Sequence, residues 1–185
     1  MTNDSLLGFA LLGLLHQQPM SGYDLRKVFA TSAMGTFSDS PGAIYPALKR
    51  LETRGLVRGT VETSTGIRQR RIFRNTAKGQ SDLKAWLRRP VTRDDVVRRL
   101  DELMLRFSFM DGTLGGSRST AFLREMIDQI SGYIPSLQQY LAAHAPEMPK
   151  SGRLALECGV YGYEAQLKWA RIALSEYNGR KEGKS

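Results

Sequence analysis

Ser40-Pro41-Gly42-Ala43-Ile44-Tyr45-Pro46-Ala47-Leu48-Lys49-Arg50-Leu51-Glu52-Thr53-Arg54-Gly55-Leu56-Val57 contains both a helix start and a helix stop. Ser40 can accept a backbone N–H bond as a cap, and Pro41 suits the first helical position, where its missing donor costs nothing. Gly55 then ends the helix. Ile44, Leu48 and Leu51 recur at four- and three-residue steps and predict a docking stripe, while Lys49, Arg50 and Arg54 point elsewhere. Taken alone, that basic face would equally suit an ordinary solvated helix.

The residues that follow shift the balance. Val57, Thr60, Val61 and Thr63 favour extended backbone, Ser64-Thr65-Gly66 supplies a turn, and Ile67 to Phe73 again mixes β-branched or aromatic with polar residues. This predicts a hairpin with a basic tip and edge. Arg58, Arg68, Arg70, Arg71 and Arg74 stand against only Glu62, more cations than an edge strand needs to avoid aggregation. Such a concentration of guanidinium groups suits phosphate contact.

Upstream, Leu6 to Leu15 is apolar almost all round, which predicts a helix buried on more than one side. A face shared with a partner subunit and a position central to a single core would look the same. Gln17-Gln18-Pro19-Met20 breaks it, and Ser21-Gly22-Tyr23-Asp24 restarts a helix to about Ala33, with Ser21 as cap and Asp24 in the acidic position of a capping box. Three helices followed by a hairpin define a winged helix-turn-helix. A fourth helix runs from Thr76 through Leu83, Trp86 and Leu87 to Arg88-Arg89-Pro90, with Trp86 expected in the core.

Beyond Pro90 the sequence changes character. Val97, Leu100, Met104 and Phe107 predict a helix over 94–110, closed by a glycine-rich turn at 111–116. Ser119 to Ala143 repeats Phe122, Met126, Ile130, Tyr133, Leu137 and Leu141 in a near-heptad seam. A last helix carries a stripe of Leu154, Cys158, Tyr161, Ala165, Trp169 and Ile172. Seams on so few helices must be buried against something, and self-association is the economical solution. The expected fold class is mainly α with a small β-hairpin: a winged helix-turn-helix domain over 1–90 and an α-helical dimerisation domain over 91–185.

Charge divides along the same line. Of the net +9, residues 1–90 carry 14 Lys and Arg against 6 Asp and Glu, and residues 91–185 carry 13 against 12. A field concentrated on one half points to a polyanionic partner there, most simply double-stranded DNA, with an anionic membrane surface the weaker option. Leu6–Leu15 is too short to span a bilayer and no positively charged leader precedes it, so a cytoplasmic protein is expected. The single Cys158 excludes an intramolecular disulfide.

No catalytic constellation, metal-ligand spacing or Gly-rich phosphate loop is apparent, so no catalytic residue, metal or cofactor is expected. His16 and His144 lie far apart, the latter in what reads as a loop, and Cys158 has no histidine nearby. A small aromatic effector could meet Tyr161, Tyr163 and Trp169, although core packing accounts for the same residues.

Taken together, the apolar first helix, Ser21-Gly22-Tyr23-Asp24-Leu25, the 42–57 segment and Arg71-Ile72-Phe73-Arg74-Asn75-Thr76-Ala77-Lys78-Gly79 resemble the PadR family of transcriptional regulators. The resemblance covers most of the chain. It implies a winged-helix domain joined to a helical dimerisation domain, and a homodimeric repressor of inverted-repeat operators. It also departs in places: Ile72-Phe73 stands where relatives often have a tyrosine pair, and Thr76-Ala77-Lys78-Gly79 where they often have Thr-Glu-Lys-Gly.

With the third helix in the major groove, Ser38, Ser40 and the Gly42 backbone would meet phosphates, aided by helix polarity. Tyr45 matches a tyrosine that contacts DNA in the family. Lys49 and Arg50 are candidates for backbone or base-edge contact, and bidentate reading of a guanine by either would contribute about 1–3 kcal/mol of discrimination. Arg68, Arg70 and Arg71 match wing positions that enter or flank the minor groove in the family. Ser21 and Tyr23 could hold the DNA backbone or serve only as cap and packing. The dimer is expected through the C-terminal helices and the first helix. The competing reading is a winged-helix protein-interaction module that binds an acidic partner without operator recognition.

Overall fold

The computed structural model describes residues 5–32, 34–35, 41–63 and 69–182. The chain divides after Arg88 into two compact units. In the first, α1 (Leu6–Gln17) starts at Ser5, whose hydroxyl accepts from the Gly8 N–H at 3.3 Å. Every residue from Leu7 to Leu15 is buried within the chain. Its neighbours are α3 (Ile44–Thr53), α4 (Ala77–Leu87) and the strand β3 (Gln69–Asn75). Phe9 stacks on Trp86 with ring centroids 4.4 Å apart, and Asn75 Nδ2 donates to the Leu12 carbonyl at 2.9 Å. The all-round apolarity of α1 is therefore met inside one chain and does not by itself call for a second subunit.

The helix α2 (Gly22–Thr31) has the capping box expected of Ser21 and Asp24: the Asp24 N–H donates to Ser21 Oγ at 3.1 Å and the Ser21 N–H to Asp24 Oδ2 at 3.4 Å. It ends at Thr31, two residues short of the expected Ala33, which lies outside the described residues. The hairpin is β2 (Val57–Thr63) against β3, antiparallel, with Arg58 opposite Arg74, Thr60 opposite Ile72 and Glu62 opposite Arg70. A two-residue strand, β1 (Met20–Ser21), adds to the other edge of β3 through Met20–Phe73 and Ser21–Ile72 pairs, giving the order β1-β3-β2. Two residues between a helix break and a capping box give no period to read.

The α3 start differs from the expectation. Pro41–Ala43 form a 3-10 turn and the α-helix proper begins at Ile44 with no side-chain cap, while Ser40, the expected cap, lies outside the described residues. The C-terminus follows the sequence signal. Gly55 takes φ +70°, its N–H donates to the Glu52 carbonyl at 2.9 Å, and the Leu56 N–H donates to the Leu51 carbonyl at 2.9 Å. That pair of bonds is the Schellman arrangement, which needs a residue free to adopt positive φ. Ile44, Ala47, Leu48 and Leu51 are buried, so α3 docks by its predicted stripe.

The α4 start is fastened to this turn. Thr76 caps Gly79 N–H at 3.1 Å, its hydroxyl donates to the Gly55 carbonyl at 2.7 Å, and its own N–H donates to the Leu56 carbonyl at 3.0 Å.

The second unit is helical: α5 (Arg93–Arg98), α6 (Leu100–Leu114), α7 (Gly116–His144) and α8 (Lys150–Glu182). The single helix expected over 94–110 is broken at Arg99 (φ −135°, ψ 39°), and the expected turn at 111–116 is helical as far as Leu114. Gly115, at φ +83°, is the actual breaker. His144 belongs to the last turn of α7, not to a loop. Val91, Val96, Leu103, Met110, Phe122, Met126, Ile130 and Ile134 form the core. The half-buried seam of Val97, Leu100, Met104 and Phe107 packs around it, so the predicted stripe flanks the core.

The segment entering this unit is pinned by charge. Arg106 and Arg118 both donate to the Arg89 carbonyl, the latter at 3.1 Å, and the Val91 N–H donates to Glu125 Oε2 at 2.9 Å. Burial alone would raise the Glu125 carboxyl. Hydrogen bonds from Arg118 and Val91, with the charges of Arg118 and Arg106, together outweigh it and hold the group below its ordinary value. A carboxyl depressed in the fold contributes stability above its unfolded pKa, about 4.3, that is lost as pH falls through the lower folded value. Glu125→Gln is therefore expected to reduce the acid-sensitive part of the second unit's stability by about 1 kcal/mol. Hydrogen exchange of α6 and α7 amides on acidification checks this.

Candidate nucleic-acid interface

The outward face of α3 carries Tyr45, Lys49, Arg50 and Glu52, because the inward positions are taken by Ile44, Ala47, Leu48 and Leu51. Beside it, the first turn of α2 and the strand β3 complete a groove of about 860 Å³ lined by Tyr23, Tyr45, Lys49, Glu52, Arg70 and Arg71, among others. A second groove of about 620 Å³, bordered by Lys49, Arg50 and Arg54, lies between α3 and the start of α1. Lys49 and Arg50 are exposed, and Lys49 borders both grooves.

Tyr45 is half exposed (52%), and its ring lies against Gly22, where an added Cβ would come within 2.5 Å of Cε1. The ring thus packs on Gly22 while about half of the residue stays open to solvent. Tyr23, at 61% exposure, stands at the groove's other side. Ser21 is only 5% exposed, and its hydroxyl both accepts from Asp24 N–H and donates to Asp24 Oδ2 at 2.6 Å. Its hydroxyl is thus engaged in the cap. Gly42 lies in the 3-10 turn leading into α3. Ser38, Ser40 and Arg68 are outside the described residues.

The hairpin arginines divide by the two faces of the strand. Arg70 is exposed on the groove rim. Arg71 donates from Nη2 to both carboxylate oxygens of Glu52, at 2.7 and 2.8 Å, and lies over the Phe73 ring at 5.3 Å. Arg74 pairs with Glu62 at 2.8 Å and reaches Thr60 Oγ1 at 3.2 Å. Sequence reasoning counted Glu62 as the sole counter-charge and missed Glu52, whose position on the outer face of α3 was the available signal.

The three aromatic residues considered for an effector do not converge. Tyr161 points outward at 67% exposure, Tyr163 packs edge-on against Tyr133 at 5.1 Å, and Trp169 packs edge-on against Phe107 at 5.6 Å. Leu154, Cys158, Tyr161, Ala165, Trp169 and Ile172 are all exposed, while α8 packs by the opposite face through Val160, Tyr163, Leu167 and Ala170. Among the described residues no group of three His, Cys, Asp or Glu could hold a metal ion, and no helix is long and apolar enough to cross a membrane.

Three helices, the third with a basic outer face, followed by a β-hairpin wing make a winged helix-turn-helix, here closed by α4 and mainly α with a small antiparallel sheet. Residues 11–85 match the family model of the transcriptional regulator PadR-like family. That match spans most of the winged-helix unit, in line with the sequence resemblance, and the proteins of that family are transcriptional regulators, not enzymes. Over 133 residues the chain is 26% identical to the negative transcriptional regulator PadR of Bacillus subtilis (strain 168), an alignment covering 72% of this chain and 71% of that protein. Among solved structures, Bacillus subtilis PadR in complex with operator DNA aligns at 23% identity and a TM-score of 0.44, covering 92% of this chain and 97% of that one. A PadR-like transcriptional regulator from Bacillus cereus aligns at 25% identity and a TM-score of 0.41, covering 94% and 99%.

Proposed function

We propose that this chain is a homodimeric repressor that binds an inverted-repeat operator, with α3 in the major groove and the β2–β3 wing in or beside the minor groove. The observation that carries the reading is the outer face of α3, where Tyr45, Lys49 and Arg50 stand exposed, the first two lining one groove with Arg70 of the wing, on a unit matched by the PadR-like family model. The relative solved with operator DNA supports the same reading. For the dimer, the support is the apolar stripe of α8 from Leu154 to Ile172, which is exposed in the single chain and would be buried by a second copy. Two symmetry-related α3 helices would then sit about one helical turn apart, roughly 34–36 Å, which is why an inverted repeat is the expected site.

Mobility shift of the full chain on duplex from upstream of its own coding sequence, against competitor duplex, tests this. Wild type is expected to prefer the upstream duplex, and Tyr45→Ala to lose about 1–3 kcal/mol of that preference. Gly22→Ala should act in the same direction by displacing the Tyr45 ring, with little change in stability because only a side chain must move. Equal binding to every duplex would return the protein-interaction reading.

A further inference from the structure

The outer face of α3 holds a carboxylate where a DNA-facing surface would be expected to avoid one. Glu52 lines the same groove as Lys49, Arg70 and Arg71. It is nevertheless held by three bonds: Arg71 Nη2 to Oε1 and Oε2, and the Gly59 N–H to Oε1 at 3.0 Å. The arrangement depends on the absence of a side chain at Gly59. A Cβ there would meet Arg71 Nε at 2.5 Å, Phe73 at 3.0 Å and Glu52 Oε1 at 3.1 Å. Glycine interrupts β2 where a neighbouring group approaches the backbone closely.

We propose that Glu52 is a positioning residue for DNA recognition, acting through Arg71; the inference rests on the operator-binding reading above. A guanidinium has five N–H donors in a rigid plane, so one edge can be fixed while another remains to bind. Here Glu52 fixes Nη2 and the Phe73 ring supports the plane. Nε lies over Gly59, 2.5 Å from where a Cβ would stand, which leaves Nη1 as the donor this orientation can offer to DNA in or beside the minor groove. The pair is exposed, and exposed pairs contribute little to stability, so its effect is on orientation. Lysine carries three donors on one rotatable ammonium, so a bond to the carboxylate would not fix the direction of the others.

The sign of one substitution separates this role from bulk electrostatics. Removing a negative charge from a DNA-binding face ordinarily strengthens binding to any duplex. If Glu52 positions Arg71, Glu52→Gln should instead weaken binding to a duplex enriched by the wild-type full chain from a random pool by about tenfold, while binding to poly(dI-dC) stays equal or tightens. Arg71→Lys, which keeps the charge and loses the planar fork, should give the same selective loss, and it decides the matter should Glu52→Gln fail to fold. Tighter or unchanged binding of Glu52→Gln to the enriched duplex, or an unaffected Arg71→Lys, overturns the proposal. Failure of the wild type to enrich any sequence would remove the operator reading itself, and this inference with it.

Discussion

Arg106→Ala is expected to destabilise the second unit by about 3–5 kcal/mol, one of the two largest single-residue effects foreseen for this chain. Arg106 is 1% exposed, and its guanidinium lies 5.3 Å from the centre of the Phe122 ring at the heart of the core. Truncation opens a void beneath that ring and removes a donor from the Arg89 carbonyl. The charge itself is not what the fold gains from. Burial first, then the neighbouring cations Arg89 and Arg118, push the guanidinium down to about 10 against the pull of Asp95 and Glu102. A cation whose pKa is lowered by folding opposes folding while it is protonated. Among the described residues its Nε has no hydrogen-bond partner. Arg106→Met, which fills the same space without the charge, should therefore stay within about 1 kcal/mol of wild type. Hydrogen exchange of α6 and α7 reads both variants. Equal, large losses for alanine and methionine would show that the charge, not the volume, holds the unit together.

The other large effect is expected at Gly79. An added Cβ would run into the Leu56 backbone, 2.9 Å from the carbonyl carbon and closer still to its oxygen. Unlike the obstruction at Gly22, this one cannot rotate away. Leu56 is fully buried, and its carbonyl accepts from the Thr76 N–H, so the turn after α3 and the start of α4 would have to separate. Overpacking of a side-chain core typically costs about 1–3 kcal/mol, and a backbone obstruction falls at or above the top of that range. Gly79→Ala is thus expected to lower the stability of the first unit by about 3 kcal/mol or more, with earlier loss of protection in α1, α3 and α4 and little change in α7 and α8. Retention of wild-type protection in α4 would show that the turn can yield.

Much of the winged-helix unit was legible because its signals are local. The Ser21 and Asp24 box, the Gly55 stop and the Ile44, Leu48 and Leu51 stripe each specify a hydrogen bond or a burial direction within a few residues. What escaped the sequence was non-local. The pairing of Met20 with Phe73 and the reach of Glu52 to Arg71 and Gly59 depend on how distant segments come together, and neither leaves a periodic trace. In the second unit the outward stripe of α8 was read correctly as a stripe. The face that packs, through Val160, Tyr163, Leu167 and Ala170, carries smaller or partly polar residues and gave the weaker signal. At the interface, exposure agrees with the sequence expectation for Tyr45, Lys49, Arg50 and Arg70, whereas Ser21 is engaged in its own local capping box and Arg71 with Glu52, a partner that only the fold brings near.

The stacking of Phe9 on Trp86, and the cover that α3, β3 and α4 give to α1, impose an order on synthesis. The most apolar of the described helices leaves the ribosome before the elements that cover it, and the ring that stacks on it lies 77 residues downstream of Phe9. Until Trp86 has emerged, Leu7 to Leu15 cannot acquire the cover they have in the finished unit. Nascent chains stalled short of residue 86 should therefore engage hydrophobic-binding chaperones, and chains released a few residues beyond the exit of Leu87 should not. The helix α1 thus waits for α4, the last of its covering elements to be made.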